Sequence, residues 1–271
     1  MNKAIGFIGA GNMAQAIIGG IVESKLIESK SIIVSNPSKN KLEALKDKYN
    51  IVTAMDNVEV AKASDILFLA VKPHIYETVI REIKAYVKAE AVIVSIAAGI
   101  DIEFMLRHFG ENAKVVRTMP NTPAMVGEGM SAICTSEKVS KEDLEDVINI
   151  FNSFGKVEII NEKIMDAIPA ISGSSPAYIY MFIEALADGG VLQGIPRDKA
   201  YKLAAQAVLG AAKMVLETGE HPGMLKDKVC SPGGTTIEAV YTLEKNNFRG
   251  SVICAMESCT NKVKEMQKDN K

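Results

Sequence analysis

A glycine-rich turn directly after the first apolar run is the feature that most restricts what this chain can fold into. The run from Ala4 to Ile8 has the composition of a short buried strand, and Gly9, Gly11 and Ala14 follow it in the spacing G-x-G-x-x-A. In this spacing the first glycine permits a tight turn, the second lets the backbone approach a pyrophosphate, and the small third residue lets the next helix pack against the strand. The pattern predicts a strand-turn-helix unit that binds a dinucleotide; the alternative is a tight turn without a ligand.

β-Rich and helical segments alternate through the first part of the chain. Short apolar runs at 4–8, 31–34, 66–71, 91–96 and 114–118 are nearly continuous in hydrophobicity, as in strands buried on both faces of a parallel sheet. The segments 40–49 and 75–87 carry apolar residues at three- and four-residue spacing and predict crossover helices. We therefore predict an α/β fold in which residues 1–163 form a Rossmann-type doubly wound parallel sheet.

The strand signal stops near residue 165, and long segments rich in alanine and leucine follow. The run Ser174-Ser175-Pro176 predicts a helix start, and that helix can continue to Gly189-Gly190. A second helix is predicted from Ile195-Pro196-Arg197-Asp198 to the vicinity of Gly219. Small residues on several faces of this helix allow close contact with another helix. We expect residues 164–271 to be an all-α dimerisation domain of an obligate dimer.

Charge and hydropathy exclude several classes of partner. Lysines and arginines number 31, aspartates and glutamates 33, and the net charge of -2 provides no basic field for nucleic acid or an anionic membrane. The apolar stretch 177–183 is far shorter than the ~20 residues of a membrane span, and the N-terminus is unlike a secretion signal. We expect a cytoplasmic protein with a small-molecule partner. No metal is expected, because no cysteine belongs to a C-x-x-C pair or lies near a histidine at ligand spacing: Cys134, Cys230, Cys254 and Cys259.

The loop after the second predicted strand bears on the choice of dinucleotide. An NAD-selective site usually has an acidic residue here for the ribose hydroxyls, whereas this chain has Ser35-Asn36-Pro37-Ser38-Lys39. Hydroxyl, amide and ammonium donors at a helix start suit a 2′-phosphate. We therefore expect NADPH in preference to NADH, with NADH still possible; the alternative is an ordinary capped loop.

Two further loops follow predicted strands at the edge where a dinucleotide crosses such a sheet. They are Ala70-Val71-Lys72-Pro73-His74 and Ile96-Ala97-Ala98-Gly99, and we expect them to face the ribose and the nicotinamide. Lys72 and His74 can equally be solvated loop residues. No Ser/His/Asp or Cys/His arrangement surrounds them, so neither is assigned proton transfer.

A second candidate site lies in the helical part of the chain. Ser231-Pro232-Gly233-Gly234-Thr235-Thr236 precedes a helix predicted from Ile237 towards Lys245. Glycine amides and hydroxyls at a helix N-terminus suit an anion such as the carboxylate of an amino or imino acid. The alternative is a capping loop.

The expected hydride acceptor is a C=N bond. A carbonyl acceptor needs a proton donor, which β-hydroxyacid dehydrogenases provide with a lysine on the first long helix of their second domain. The corresponding segment here, Pro176 to Asp188, contains no lysine. A protonated imine already carries its proton, so it can be reduced without a strong general acid.

Motifs along nearly the whole chain make it resemble the pyrroline-5-carboxylate reductase family, which forms L-proline. The most specific is His221-Pro222-Gly223 followed by Leu225-Lys226-Asp227 and the loop from Ser231 to Ile237. The others are Gly6-Phe7-Ile8-Gly9-Ala10-Gly11-Asn12-Met13, Ala70-Val71-Lys72-Pro73, Met119-Pro120-Asn121-Thr122-Pro123, Ser172-Gly173-Ser174-Ser175-Pro176-Ala177-Tyr178 and Leu186-Ala187-Asp188-Gly189-Gly190. The resemblance implies a homodimer with interleaved helices and a shared active site, and it leaves assembly into a decamer open.

The resemblance also implies roles for individual residues. Thr236 is expected beside the ring nitrogen of the substrate as the catalytic residue, where positioning is its larger contribution. Substrate contacts are expected from Ser231, Gly233, Gly234, Thr235, Thr236 and Asn121. The glycine turn, the loops described above and two further positions are expected to contact the cofactor. The residues are Ile8, Gly9, Ala10, Gly11, Asn12, Met13, Ser35, Asn36, Ser38, Lys39, Asn57, Ala70, Val71, Lys72, Pro73, Ala97, Ala98 and Pro120. Asn57, Pro120 and Asn121 can also be ordinary turn residues.

Three other functions remain open at this point. A β-hydroxyacid dehydrogenase is disfavoured by the missing helix lysine. A general imine reductase differs only in its substrate. A non-catalytic protein that binds a dinucleotide for regulation would use the same glycine turn.

Overall fold

The computed structural model describes residues 1 and 3–269. The chain forms two compact units, one comprising residues 1–174 and the chain from Cys259 on, and the other Ser175–Ser258. The domain boundary between residues 163 and 164 stays a prediction.

The first unit is built on one eight-stranded sheet within the described residues, in the order β3-β2-β1-β4-β5-β6-β7-β8. The strands are β1 Ile5–Ile8, β2 Ile32–Ser35, β3 Val52–Ala54, β4 Ile66–Leu69, β5 Val92–Ser95, β6 Lys114–Met119, β7 Gly129–Thr135 and β8 Gly155–Ile159. Neighbours among β1 to β6 are parallel. This order is that of the doubly wound dinucleotide-binding fold, so the predicted fold class is confirmed.

Three strands were not predicted, and one of them changes the direction of the sheet. β7 runs antiparallel to β6 and parallel to β8, so the sheet is mixed at this end. β3 has only three residues, and β8 alternates charged with apolar side chains at the sheet edge. Neither strand shows the continuous hydrophobic run of a strand buried on both faces, which is the pattern used to find the others.

Helices cover both faces of the sheet. They are α1 Asn12–Glu23, α2 Lys39–Tyr49, α3 Asn57–Ala63, α4 Tyr76–Ile83, α5 Ile102–Phe109, α6 Lys141–Asn152 and α7 Glu162–Met165. One apolar core contains Ile17 of α1, Leu42 of α2 and Phe151 of α6. The other contains Val60 of α3 and Ile80 of α4. The strands β1, β2, β4, β5 and β6 contribute side chains to both cores, as their continuous apolar composition predicts.

The second unit is helical throughout its described elements. It contains α8 Ser175–Leu192, α9 Arg197–Thr218, α10 Pro222–Val229, α11 Thr235–Lys245 and the first part of α12 Phe248–Asp269. Gly219, with φ of 64°, ends α9 where the sequence predicted. α11 begins at Thr235, two residues before the predicted start, so both threonines of the loop belong to its first turn.

Most large apolar side chains of the second unit are not covered by it. In α8 and α9 the buried residues are the small Ala187, Ala200 and Ala204. In contrast, Leu192 and Leu216 are 85% and 84% exposed. Exposed apolar side chains of this size are typical of a surface that a partner covers. In the part of the chain that is described, no helix combines the length and the hydrophobicity needed to cross a membrane.

Candidate active site

The two glycines of the turn at the end of β1 differ in their surroundings. The backbone conformation requires glycine at position 9, whereas the space beside Gly11 is open. Gly9 has φ of 103°, and a Cβ atom there would lie 2.5 Å from the carbonyl oxygen of Ala70. Only glycine tolerates both conditions. Gly11 has an ordinary φ of -73°, yet no heavy atom lies within 4 Å of an added Cβ. The space beside Gly11 is where a pyrophosphate would approach the backbone.

Hydrogen bonds tie this turn to the end of β2. The amide of Gly9 donates to the carbonyl of Ser35 at 2.9 Å, and the amide of Ala10 donates to Oδ1 of Asn36 at 3.2 Å. α1 then begins with no side-chain cap and no acidic residue in its first turn, which includes Asn12 and Met13. The N–H groups at this helix start therefore favour an anion.

The proposed 2′-phosphate loop divides into an exposed and a buried part. Ser38 caps α2 through its backbone and makes no side-chain capping bond, and Lys39 is exposed. Nδ2 of Asn36 lies 3.5 Å from the carbonyl oxygen of Ser38, so these three residues share one helix start. Ser35 is fully buried, and its hydroxyl donates to Oδ1 of Asn57 at 2.7 Å. The Ser35 hydroxyl therefore holds the loop in place, and its predicted contact with the cofactor stays a prediction.

Asn57 lies at the start of α3 and connects this loop to α4. Its oxygen accepts the bond from Ser35, and its Nδ2 donates to Oε2 of Glu82 at 2.9 Å. Both ends of the amide are thus engaged within the protein. The predicted contact of Asn57 with the adenosine ribose stays a prediction.

The loops after β4 and β5 lie at the same edge as the glycine turn, because all three strands are parallel. Ala70 pairs with β1 through its amide, which donates to the carbonyl of Ile8 at 2.8 Å. Lys72 is exposed and Pro73 begins a 3₁₀ turn. Ala97 is buried and Ala98 half-buried. The predicted neighbours of the ribose and nicotinamide are thus brought to one edge.

Asn121 follows β6 and Pro120, and its side chain is used within the first unit. Nδ2 donates to the carbonyl of Ser172 at 3.0 Å, and Oδ1 accepts from the amide of Met130 at 2.9 Å. Asn121 therefore fixes the start of β7 and the π-helical turn Pro169–Gly173. Nothing in the local sequence indicates these partners, since Ser172 is 51 residues away. Its expected contact with the substrate stays a prediction.

In the second unit, the loop before α11 is a tight turn that exposes a helix N-terminus. The amide of Gly234 donates to the carbonyl of Ser231 at 3.0 Å, Pro232 and Gly233 are the central residues, and Gly233 has φ of 65°. Proline followed by glycine with positive φ is the sequence of a type II turn. A Cβ on Gly234 would lie 2.3 Å from Oγ of Ser231 and 3.2 Å from its carbonyl oxygen, so a larger residue here would displace the Ser231 side chain.

The first turn of α11 has the chemistry of an anion site. Gly234 is the N-cap residue and offers no side chain to the free N–H groups of the first turn. Thr235 and Thr236 add two hydroxyls there, and Thr236 is half-buried whereas Thr235 is exposed. A carboxylate can accept from these amides while a hydroxyl contacts an adjacent nitrogen. Among residues 1 and 3–269 no cluster of three histidine, cysteine or acidic residues suits a metal ion.

Comparison with known proteins decides the family. The family model described as pyrroline-5-carboxylate reductase dimerisation matches residues 162–266, and the one described as NADP oxidoreductase coenzyme F420-dependent matches residues 4–99. The pyrroline-5-carboxylate reductase of Escherichia coli (strain K12) is 51% identical over 268 residues, or 99% of this chain and 100% of that protein. This chain belongs to the pyrroline-5-carboxylate reductase family.

Other members of the reductase family agree in sequence and in fold. Pyrroline-5-carboxylate reductase 2 of Homo sapiens is 43% identical over 97% of this chain and 84% of its own length. The crystal structure of the Plasmodium falciparum enzyme with NADP bound has a TM-score of 0.90 at 37% identity, covering 98% of both chains. That of the Coxiella burnetii enzyme has a TM-score of 0.91 at 35% identity, covering 98% of this chain and 99% of that one. The predicted family is thus confirmed.

Proposed function

We propose that this chain is a pyrroline-5-carboxylate reductase, which transfers a hydride from NADPH to the C=N bond of 1-pyrroline-5-carboxylate and forms L-proline, the last step of proline biosynthesis. The observation that carries the proposal is the loop Ser231 to Thr236, whose glycine-capped helix start suits a carboxylate. α8 contains no lysine that would serve a carbonyl substrate. The identity to the E. coli reductase supports the same substrate.

The residues of the loop would divide the work between binding and orientation. The amides at the start of α11 hold the carboxylate of the substrate. The hydroxyl oxygen of Thr236 accepts a hydrogen bond from the N–H of the protonated imine and orients the C=N bond. The iminium carbon accepts the hydride and the nitrogen keeps its proton, so the product is a neutral secondary amine.

NADPH is the proposed cofactor, with NADH accepted less well. The glycine turn and the start of α1 would hold the pyrophosphate, and Asn36, Ser38 and Lys39 would hold the 2′-phosphate. The relative from Plasmodium falciparum was solved with NADP bound, which supports this choice. A kcat/KM with NADH equal to that with NADPH would contradict the preference.

The proposed assembly is a homodimer whose helical domains, residues 164–271, interleave, while residues 1–163 form the dinucleotide-binding domain. The family model for dimerisation and the exposed apolar side chains of α8 and α9 support a dimer. A decamer of such dimers is the further assembly to test by light scattering. The proposed location is the cytoplasm.

One assay tests the reaction against its rivals. Purified protein is mixed with NADPH and 1-pyrroline-5-carboxylate, then with a β-keto acid, and the absorbance of the reduced nicotinamide is followed. Loss of absorbance with the imine alone, and formation of proline, are expected. Absence of turnover with the imine would overturn the proposal, and turnover with the keto acid would favour a β-hydroxyacid dehydrogenase.

A further inference from the structure

A buried tyrosine connects the strands β4 and β5 just below the edge of the sheet where the dinucleotide is expected. Tyr76, the first residue of α4, is fully buried, and its hydroxyl donates to the carbonyl of Leu69 at 2.6 Å. The hydroxyl of Ser95 donates to the Tyr76 oxygen at 3.2 Å. The hydroxyl of Thr118 donates to the carbonyl of Ser95 at 3.0 Å. These four residues form a buried chain of hydrogen bonds across β4, β5 and β6.

The residues of this hydrogen-bond network lie directly before the loops that are expected to contact the cofactor. Leu69 ends β4 and is followed by Ala70, and Ser95 ends β5 and is followed by Ile96. Thr118 precedes Met119, the last residue of β6. These hydrogen bonds therefore fix the carbonyls of Leu69 and Ser95, which lie directly before two loops at the ligand edge of a doubly wound sheet.

The hydrogen bonds of the Tyr76 hydroxyl explain why a tyrosine, and not a phenylalanine, occupies this position. A phenylalanine of the same shape would fill the space equally well, and burying a hydroxyl is unfavourable unless it is hydrogen-bonded. Burial raises the pKa of Tyr76, and the Ser95 hydroxyl and the amides of Ile96 and Ala97 offset part of that rise. The phenol therefore stays protonated and remains a donor to Leu69 at any pH at which the enzyme works.

We propose that Tyr76 is a positioning residue of the reductase, and that its hydroxyl sets the spacing of the loops 70–73 and 96–98 against the ribose and nicotinamide of the cofactor. It acts through the backbone of these loops and touches neither ligand. The inference rests on the proposed function only in taking these loops as cofactor contacts.

The test compares Tyr76→Phe, which removes one oxygen, with Tyr86→Phe, an exposed tyrosine beyond the end of the same helix. We expect Tyr76→Phe to raise the Kd of NADPH, measured by fluorescence titration, roughly threefold to tenfold, the range of one lost hydrogen bond. kcat should fall as well, while KM for the imine at saturating NADPH stays unchanged. Tyr86→Phe should match the wild type in all three values.

A second variant covers the case in which Tyr76→Phe does not fold. Thr118→Val keeps the side-chain shape and removes only the bond to Ser95, so it should raise the Kd of NADPH in the same direction by a smaller factor. If Kd and kcat were unchanged and only the melting temperature fell, the hydrogen-bond network would have a purely structural role. This result would overturn the proposal. The NADPH titration uses no imine, so failure of the wild type to reduce the imine would overturn the proposed function alone.

Discussion

At the scale of single residues, the two glycines of the cofactor turn have separable tasks. Gly9 is required by its φ of 103° and by the carbonyl of Ala70. Gly11 has a backbone that any residue adopts and an open space where its side chain would be. The first glycine is thus required by the fold, and we propose that the second leaves room for the pyrophosphate.

Alanine substitution at each glycine should separate stability from binding. Gly9→Ala should lower the free energy of unfolding by about 2 kcal/mol, because the positive φ is strained and the methyl group meets backbone. Gly11→Ala should leave stability within about 0.5 kcal/mol of wild type but raise the Kd of NADPH roughly tenfold, equal to about 1.4 kcal/mol. Chemical denaturation and fluorescence titration measure the two effects. Equal NADPH affinity in Gly11→Ala would rule out a pyrophosphate at this point.

Thr236 is the residue whose role depends most directly on the proposed reaction. Thr236→Ala should lower kcat/KM for the imine by about 10- to 100-fold, and Thr236→Ser should recover most of the loss because it restores the hydroxyl. Thr242→Ala is the matched control on the same helix, since the Thr242 hydroxyl bonds to the carbonyl of Glu238 and faces solvent. Full activity in Thr236→Ala would show that the residue has no part in the reaction.

At the scale of elements, α6 is fastened to the sheet by a cap and an ion pair. The hydroxyl of Ser140 accepts from the amide of Asp143 at 3.1 Å, which completes a capping box. The carboxylate of Asp143 lies 3.0 Å from Nζ of Lys114, the first residue of β6. Burial acts to raise the pKa of Asp143, but hydrogen bonds from Lys114 and Ser140 outweigh it and the pKa lies below its usual value.

This pKa predicts how stability depends on pH. The pKa of Asp143 is lower in the folded than in the unfolded state, where it is about 3.9, so its stabilisation is present above that value and is lost as pH falls through the folded pKa. Asp143→Asn should therefore be less stable than wild type at pH 7, and its free energy of unfolding should change less between pH 5 and pH 2. Lys114→Met, which removes the cation, should shrink the same slope. A slope as steep as that of wild type in both variants would contradict this account.

In the first unit, the sequence predicted those elements that have a recognisable pattern within a few consecutive residues. β1, β2, β4, β5 and β6 were predicted from continuous apolar runs, and α2 from its periodicity. The helix predicted over 75–87 is shorter, because a 3₁₀ turn occupies Pro73–Ile75 and α4 ends at Ile83. β7 was missed, since it begins with glycine and gains its place by pairing antiparallel with β6.

At the scale of the whole molecule, the exposed apolar surface of the second unit requires a partner. Leu209 and Leu216 of α9 are 55% and 84% exposed and lie seven residues apart, on one face of the helix. In a single copy most of the surface of these two side chains stays in solvent, whereas fully burying a leucine contributes roughly 1.5–3 kcal/mol. The exposed leucines therefore support the proposed dimer, in which a second copy of the chain would cover them.

The proposed association with a second copy would make stability depend on protein concentration. The melting temperature should rise with concentration, as for any protein whose folded state is an oligomer. Introducing Leu209→Glu and Leu216→Glu together should reduce the mass measured by light scattering to that of one chain and abolish turnover. Lys46→Glu, a charge reversal on the exposed face of α2, is the control and should keep the assembly. A double variant that retained its mass would place the interface on another face.

Local sequence patterns were enough to predict the glycine turn, five strands of the doubly wound sheet, the two long helices α8 and α9, and the reductase family. Only the tertiary structure decided that Ser35 is buried against Asn57, that Asn121 bonds to Ser172, and that Tyr76 joins Leu69 to Ser95. Turn conformation and helix or strand periodicity depend on residues that are close in the sequence, so local patterns predict them. The partner of a buried polar group, in contrast, is distant in sequence and becomes a neighbour only in the folded chain. Ser95 and Tyr76 are 19 positions apart, and Asn121 and Ser172 are 51 positions apart.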